Sequence, residues 1–531
     1  MKNSWFKYIF IVFAIGIFIF AFMKIKGDEE TKKLEELNKN SEEEQRIKEI
    51  TLGIANFDTI NPILSNNQNV QDISRLLFEP LVNLNNNYKP EPALAVEWAK
   101  QDATTYIIKL REDVKWSDGS DFSASDVQYT VDRLKIDTPS IYGSNVQNID
   151  RLEVVDSNTV KIFLSKEVPF FEYYLTFPIM SKKYYENTDF NNAEKNKAPV
   201  TTGKYKIGNV QDSVITLEKN KKWWNAKKIG LSLEKININL YSSVGELYNS
   251  FKTGKIDLLS TTNNSFGDYI GTIGYNYKEV RGREHNYLAL NTASQFLSDV
   301  NVRKALEAFI DKTSITGNIY GGKYYVSYYP LEYGSYLYKG TPTKVDFNIE
   351  QAKQYLADGG WSFKYQNWQK TVNYRTQKLA LNFVVKASNQ SQVQTAENIA
   401  TQLEGQGIKI NLIRASDDQY NNYKNNKNYD MILCSSYLPI SPDMSYFFGE
   451  GNLANYTSDE INQILSEVKN TNDEKVLIEK YTRLEQIYNT EIPYISLNNG
   501  KLNVLYNSNL VGDVAPNWFS IFYNVEGWYK N

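Results

Sequence analysis

The sequence predicts an α/β fold of several lobes, carried behind an apolar N-terminal segment. Three observations predict it. The chain has 531 residues and is 41% hydrophobic, enough for roughly two to four lobes at the usual size of a domain. Segments of helical period alternate with segments of strand period along its body, which favours sheets covered by helices. An uncharged apolar run, 8–23, precedes a densely charged stretch.

The apolar run comes first. Its 16 residues lie between Lys2 and Lys7 on one side and Lys24 and Lys26 on the other. As a helix it would cover about 24 Å, and snorkelling lysines extend that toward a membrane span. The bulky Phe22 and Met23 do not suit signal cleavage, and no cysteine follows the run to carry a lipid. Residues 1–26 are therefore expected to be an uncleaved transmembrane signal anchor, with a signal peptide cut at an atypical site as the alternative. Residues 27–50 hold 14 charged side chains and few aliphatics, which predicts a solvated stalk. The globular body would then sit on the extracytoplasmic side of a single-pass anchor.

Composition excludes several kinds of chemistry. With 59 basic and 62 acidic residues and a net charge of −3, there is no cationic field for nucleic acid. Cys434 is the only cysteine and His285 the only histidine. Disulfides within the chain, Cys/His metal sites and most histidine triads are thereby ruled out. No cofactor is implied. The 39 tyrosines and nine tryptophans suit recognition of a soluble ligand. The chain has neither a G-x-S-x-G elbow nor a G-x-x-x-x-G-K-[ST] phosphate loop.

The body opens its first well-defined unit at "TYIIKL", 105–110, which alternates Tyr106, Ile108 and Leu110 as a half-buried strand. Asp118-Gly119 is a turn dipeptide. Ser123 with Asp126 forms a capping box, and Val127, Val131 and Leu134 continue on one helical face. The acids of "KWSDGSDFSASDV" are thus read as turn and cap geometry, without a catalytic partner. Farther on, Val302, Ala305, Leu306 and Phe309 mark a helix face. Residues 397–413 read as a helix closed by Gly407 and followed by a strand with Ile408, Ile410 and Leu412.

The order of residues in 90–133, "PEPALAVEWAKQDATTYIIKLREDVKWSDGSDFSASDVQYTVDR", resembles the signature segment of the dipeptide and oligopeptide-binding proteins of ABC importers. Further landmarks follow in that family's order: "TTGKYKI" at 201, "FKTGKIDLL" at 251, "YLALNT" at 287, "VRKALEAFIDKTSI" at 302, "AKQYLADGGW" at 352 and "IPYISL" at 492. The resemblance covers essentially all of 51–531. It implies a periplasmic-binding-protein-like architecture of two large lobes around a cleft and a small inserted lobe. Lobe I would comprise 51–88, 205–283 and 501–531, the inserted lobe II 89–204, and lobe III 284–500, with lobes I and III closing by a hinge.

The function so implied is that of a monomeric, non-enzymatic substrate-binding component, delivering peptides to a membrane permease powered by separate ATPase subunits. Alternatives are a binder of a non-peptide solute such as a glycan or metal chelate, a peptide-sensing receptor, or a hydrolase with a Ser/Asp/Lys site. The resemblance places Asn66, Asn67 and Gln68 at one lip of the cleft, where their amides would bond peptide groups. In "YDMILCSSYLPISPDMSYFF", 429–448, similar proteins carry a Gly-Trp pair and an aspartate for the peptide's α-ammonium. Here Ser435-Ser436 and Pro439 stand at those positions. The anchor is missing there, and Asp443 is either its replacement or part of a helix start. A ligand held by Ser435, Ser436, Tyr437, Tyr287, Ser496 and Asn498, with little demand for a free N-terminus, is expected.

Overall fold

The computed structural model describes residues 46–136, 140–268, 270–271, 273–338 and 343–531. The expected anchor, 1–26, and most of the expected stalk lie outside the described residues. Among those described, no helix is long and apolar enough to cross a membrane.

The first strand, Glu49–Ala55, begins inside the stretch read as stalk. Ile50, Leu52 and Ile54 are buried, and the strand pairs in parallel with Lys235–Tyr241, setting Ile50 opposite Ile236 and Leu52 opposite Ile238. Ile47 is already bridged to Lys530. The folded body thus starts before residue 50, because an apolar period of two governs these residues more than their charged neighbours do. Val214–Lys219 and Tyr205–Val210 complete this four-stranded sheet.

A second four-stranded sheet is antiparallel, in the order Ala95–Asp102, Thr105–Leu110, Thr159–Leu164, Ile149–Asp156. Helix Ala124–Lys135 covers it with Val127, Val131 and Leu134 buried, as their spacing predicts. The turn before that helix closes with Trp116 N donating to Ser120 O at 2.8 Å and Gly119 at φ +97°. Asp126 is 3% exposed. It accepts from Ser123 N at 2.9 Å, Lys182 N at 2.8 Å and Trp116 Nε1 at 3.3 Å. The last acid of the motif is therefore a structural acceptor for three donors. Asp126→Ala is expected to cost about 2 kcal/mol by leaving those donors unpaired. Ser123→Ala, whose hydroxyl pairs with Ser125 Oγ at 2.8 Å, should cost under about 1 kcal/mol. Urea unfolding of the two variants checks the order, and a larger loss at Ser123 would contradict it. One hydrophobic cluster, including Leu77, Trp116, Phe177 and Ile236, unites these two sheets.

The third sheet has seven strands. Its main path runs Leu258–Thr261, Tyr494–Asn507, Tyr275–Leu290, Met431–Tyr437, Ala380–Lys386, Lys409–Ala415, and Tyr324–Val326 adds to Tyr494–Asn507. Helix Gln390–Gly405 connects the parallel pair Ala380–Lys386 and Lys409–Ala415, and Gly407 at φ +82° follows it as a left-handed stop. Helix Val300–Phe309 buries Val302, Ala305, Leu306 and Phe309. The sheet is covered on both faces. Leu288, Leu433 and Leu497 belong to one cluster, Tyr287, Cys434 and Tyr494 to another.

Two strands of this sheet are unusually long, 16 and 14 residues. At their 275–281 and 501–507 ends, Val280 and Val504 belong to the cluster of the first two sheets. At the other ends, Leu288 and Ile495 belong to the large sheet's own core. The pair is thus a two-stranded connection between two cores. Its pairing is irregular between Arg281 and His285, and again between Asn286 and Tyr287. At the first irregularity a Cβ on Gly282 would lie 3.1 Å from Gly500 O, so both chains approach there without side chains between them.

Candidate functional site

Beside that irregularity the cores face one another across a cleft. The sequence "VRGREHN" turns Arg283 out of the strand toward it. Arg283 Nε donates to Leu438 O at 2.9 Å, and its guanidinium lies 4.6 Å from the Trp518 ring centre. Trp518 in turn stacks on Tyr88, with centroids 5.3 Å apart and planes 18° from parallel. An Arg–Trp–Tyr stack therefore joins the crossing strand, the C-terminal segment and the 85–89 loop. Tyr336 N donates to Asn87 O at 2.9 Å, and Asn517 Nδ2 to Asn86 Oδ1 at 3.2 Å, which fixes that loop against both neighbours.

A narrow cavity of about 20 Å³ opens on this stack. Tyr88, Tyr173 and Trp518 form one wall, and Glu332, Ser335 and the 438–444 segment the other. Burial pushes the Glu332 carboxyl up to about 8, against the pull of Arg283 and Arg281. Glu332 Oε2 and Trp518 Nε1 are both shut off from solvent, with no hydrogen-bond partner among the described residues. A second cavity, about 290 Å³, adjoins through Leu331 and is lined by Arg281, Lys344, Asn499 and a group of tyrosines. There the Arg281 guanidinium lies 4.8 Å from the Tyr325 ring and 4.7 Å from that of Tyr333.

The expected site residues divide into three groups. Ser435, Ser436 and Tyr437 end the strand Met431–Tyr437, where Ser435 is exposed and Tyr437 is 74% exposed. One edge of that strand pairs with Tyr275–Leu290. Its other edge pairs with Ala380–Lys386 only at Met431 and Ile432, and Leu433 O accepts from Tyr420 Oη at 2.8 Å, so, among the described residues, 435–437 have no strand partner on that side. Asp443 lines the cavity, but its Oδ1 accepts from Ser445 N at 2.9 Å and Ser445 Oγ at 2.6 Å, the helix-start role.

The second group caps a helix. Asn67 Oδ1 accepts from Asn69 N at 3.0 Å at the start of helix Gln68–Leu77, and its Nδ2 donates to Ala55 O at 2.8 Å. Gln68 Nε2 donates to Asp72 Oδ1 at 2.8 Å. Asn66 and Gln68 are exposed and Asn67 is half-buried; the amides of Asn67 and Gln68 are engaged within the protein, while Asn66 and Gln68 keep free surface at the expected lip.

The third group is buried, contrary to expectation. Tyr287, Ser496 and Asn498 are each 0% exposed. The Tyr287 and Tyr446 hydroxyls pair at 2.9 Å, Ser496 Oγ pairs with Tyr488 Oη at 2.8 Å, and Asn498 Oδ1 accepts from Asn286 Nδ2 at 2.8 Å. Packing on both faces of the sheet leaves them no surface for a ligand. His285 is buried as well, and desolvation holds its imidazole down at about 3, so it is neutral at physiological pH. Cys434 is a buried small side chain taking a hydrogen bond from Tyr420 Oη at 3.3 Å. Among the described residues no group of three His, Cys, Asp or Glu side chains is placed to hold a metal.

Tyr88, Tyr173, Arg283, Glu332 and Trp518 were not singled out by sequence reasoning. The one available signal was local composition: 324–338, "YYVSYYPLEYGSYLY", contains seven tyrosines, too many for an ordinary connecting loop.

The family model for bacterial extracellular solute-binding proteins, family 5 Middle, matches residues 89–458, more than half of the chain. The chain belongs to this family. It is a solute-binding protein of the ABC-importer type. The chain is 26% identical over 459 residues to the periplasmic oligopeptide-binding protein OppA of Escherichia coli (strain K12), covering 78% of this chain and 80% of that one. It is 22% identical over 498 residues to the glutathione-binding protein GsiB of Escherichia coli O1:K1 / APEC, covering 88% and 91%. Among solved structures, the unliganded open form of the periplasmic murein tripeptide binding protein MppA superposes with a TM-score of 0.74 at 20% identity, covering 91% of this chain and 97% of that one. The last likeness establishes the fold.

Proposed function

We propose that this family member binds extended peptides in the cleft, without turning them over, and delivers them to an ABC permease. The observation that carries this reading is the open edge at 435–437, which leads directly into the 438–444 segment of a cavity lined by aromatic rings. An extended peptide satisfies such an edge with its own backbone groups, and the rings take side chains with little regard to sequence. The OppA likeness supports the same ligand class.

The two long strands supply the hinge in this reading. Their irregular stretch at 281–285 and the close approach of Gly282 to Gly500 put the least side-chain packing where the cores are joined. Ligand bridging both walls stabilises the closed form by its differential affinity. The lobes proposed from the sequence, 51–88 with 205–283 and 501–531, 89–204, and 284–500, would move about this point.

Titration calorimetry with a short-peptide library tests the reading. One peptide per chain should bind, and Trp518→Ala should weaken it about 30-fold, or about 2 kcal/mol, as removal of a central aromatic anchor does. Absence of binding by every peptide would contradict the proposal. Residues 1–26 would tether the protein to the membrane, and full-length protein should then stay with membranes in high salt and alkali. Recovery in the soluble fraction would overturn the tether.

A further inference from the structure

The two cores also meet away from the cleft. Phe170 and Phe171 are neighbours in sequence, yet Phe171 belongs to the cluster of the first two sheets and Phe170 to a cluster on the large sheet. The backbone makes them diverge: Phe170 is left-handed, at φ +55° and ψ +44°, just before the short helix Phe171–Leu175. A residue with a Cβ avoids that conformation, and it keeps it only where its surroundings hold it there. The Phe170 ring, 9% exposed, packs edge-on against Tyr481 with centroids 6.4 Å apart. Tyr481 stands on helix Glu474–Glu491 and is held by its hydroxyl, which donates to Pro442 O at 2.6 Å.

An ion triad lies beside the ring. Lys100 Nζ is 2.9 Å from Glu167 Oε1, Lys469 Nζ is 3.2 Å from Glu167 Oε2, and Lys100 Nζ donates to Lys469 O at 3.4 Å. Lys100 is on strand Ala95–Asp102 and Glu167 follows strand Thr159–Leu164, whereas Lys469 ends helix Asp459–Val468 of the other core. The three side chains are 26–34% exposed, so their charges are partly desolvated and form a network, which holds better than a lone surface pair. These residues line a cavity of their own, about 390 Å³, and neither cavity of the cleft includes them.

We propose that Phe170 and the Lys100–Glu167–Lys469 triad form a latch that holds the two cores together before any ligand arrives. They are positioning residues: they set the affinity for the solute without touching it, because apparent affinity scales with the fraction of protein already in the binding-competent form. The latch is reversible by construction, since Phe170 leaves its left-handed conformation when its ring comes away from Tyr481. This goes beyond the proposed function, for the latch acts whichever solute the cleft takes.

The test reads the separation of the cores in the full-length protein by pulsed electron resonance. Spin labels go on Val155→Cys and Tyr374→Cys, one exposed site on each core, and the native Cys434 is buried. Without peptide, the protein with no other change should show mainly one short separation. Glu167→Ala and Phe170→Ala should each move at least half of the molecules to a longer one. Affinity for a synthetic short-peptide pool should fall by the same factor as the short-separation fraction, twofold or more. Exchanging the charges, Glu167→Lys with Lys469→Glu, should restore most of that fraction. A ligand-free protein that is mainly open, unchanged separations in both alanine variants, or an affinity loss with no change in separation overturns the latch. The separation is read without ligand, so a pool that binds to none of these proteins overturns the peptide reading and leaves the latch to be decided by the distances alone.

Discussion

Between pH 6.5 and 8.5 the unfolding free energy of this protein should fall by about 3 kcal/mol. Three glutamates with desolvated carboxyls set the sign, Glu79 buried and Glu172 and Glu332 half-buried. Burial pushes Glu79 and Glu172 up to about 7 and Glu332 up to about 8, from 4.5 in the unfolded chain. A group raised in this way gives its full stabilisation below its unfolded value and loses it as pH rises through its folded value. His285 acts oppositely, but its contribution is complete once pH exceeds its unfolded value of 6.5. The buried tyrosines titrate higher still. Above pH 6.5 the glutamates therefore decide the slope, Glu332 contributing about 2 kcal/mol and the other two under about 1 kcal/mol each. Glu79 stays hydrogen-bonded throughout, accepting from Trp223 Nε1 at 2.9 Å and Trp224 Nε1 at 2.8 Å, so the loss is one of charge burial rather than of contacts. Urea unfolding at the two pH values measures the difference, and Glu332→Gln should remove the larger part. A stability that rises across this interval would contradict the burial of these acids.

Glu307→Gln should lower stability by about 3–5 kcal/mol at neutral pH. Lys312 Nζ lies 2.8 Å from Glu307 Oε1, and both side chains are only 4% exposed. Removing the carboxylate leaves an ammonium buried with the Tyr328 ring, 5.1 Å away, as its remaining electrostatic partner of note. Replacing both residues with methionine should recover most of the loss, because two apolar side chains need no mutual compensation. Chemical denaturation of the single and double variants tests this; equal destabilisation by both would show that shape, not charge, is what the pair supplies.

What the sequence revealed of the fold was mostly what is decided within one or two elements. The stretch 105–134 could be read residue by residue, because the strand alternation, the turn at Gly119 and the helix face of Val127, Val131 and Leu134 are all local. The same holds for Gly407 after helix Gln390–Gly405. The cleft was not legible in that way. Tyr88, Tyr173, Glu332 and Trp518 come from four distant segments, and only the packing of two cores brings them together. Asn67 misled because an amide that caps a helix and an amide that binds a ligand are the same residue type in the same kind of loop. Tyr287, Ser496 and Asn498 misled because the central sheet is covered on both faces, where a polar side chain on a strand is satisfied internally rather than exposed. The stalk boundary slipped for a related reason: Ile50 sits among charges in sequence but pairs with Ile236 in the sheet.

Mass spectrometry of the ligand that co-purifies with the native protein tests the central claim most directly. The expected ligand is a peptide, one per chain, retained by wild type and strongly depleted from the Trp518→Ala variant. A non-peptide solute in the wild-type cleft, or a peptide retained equally by both proteins, would contradict it.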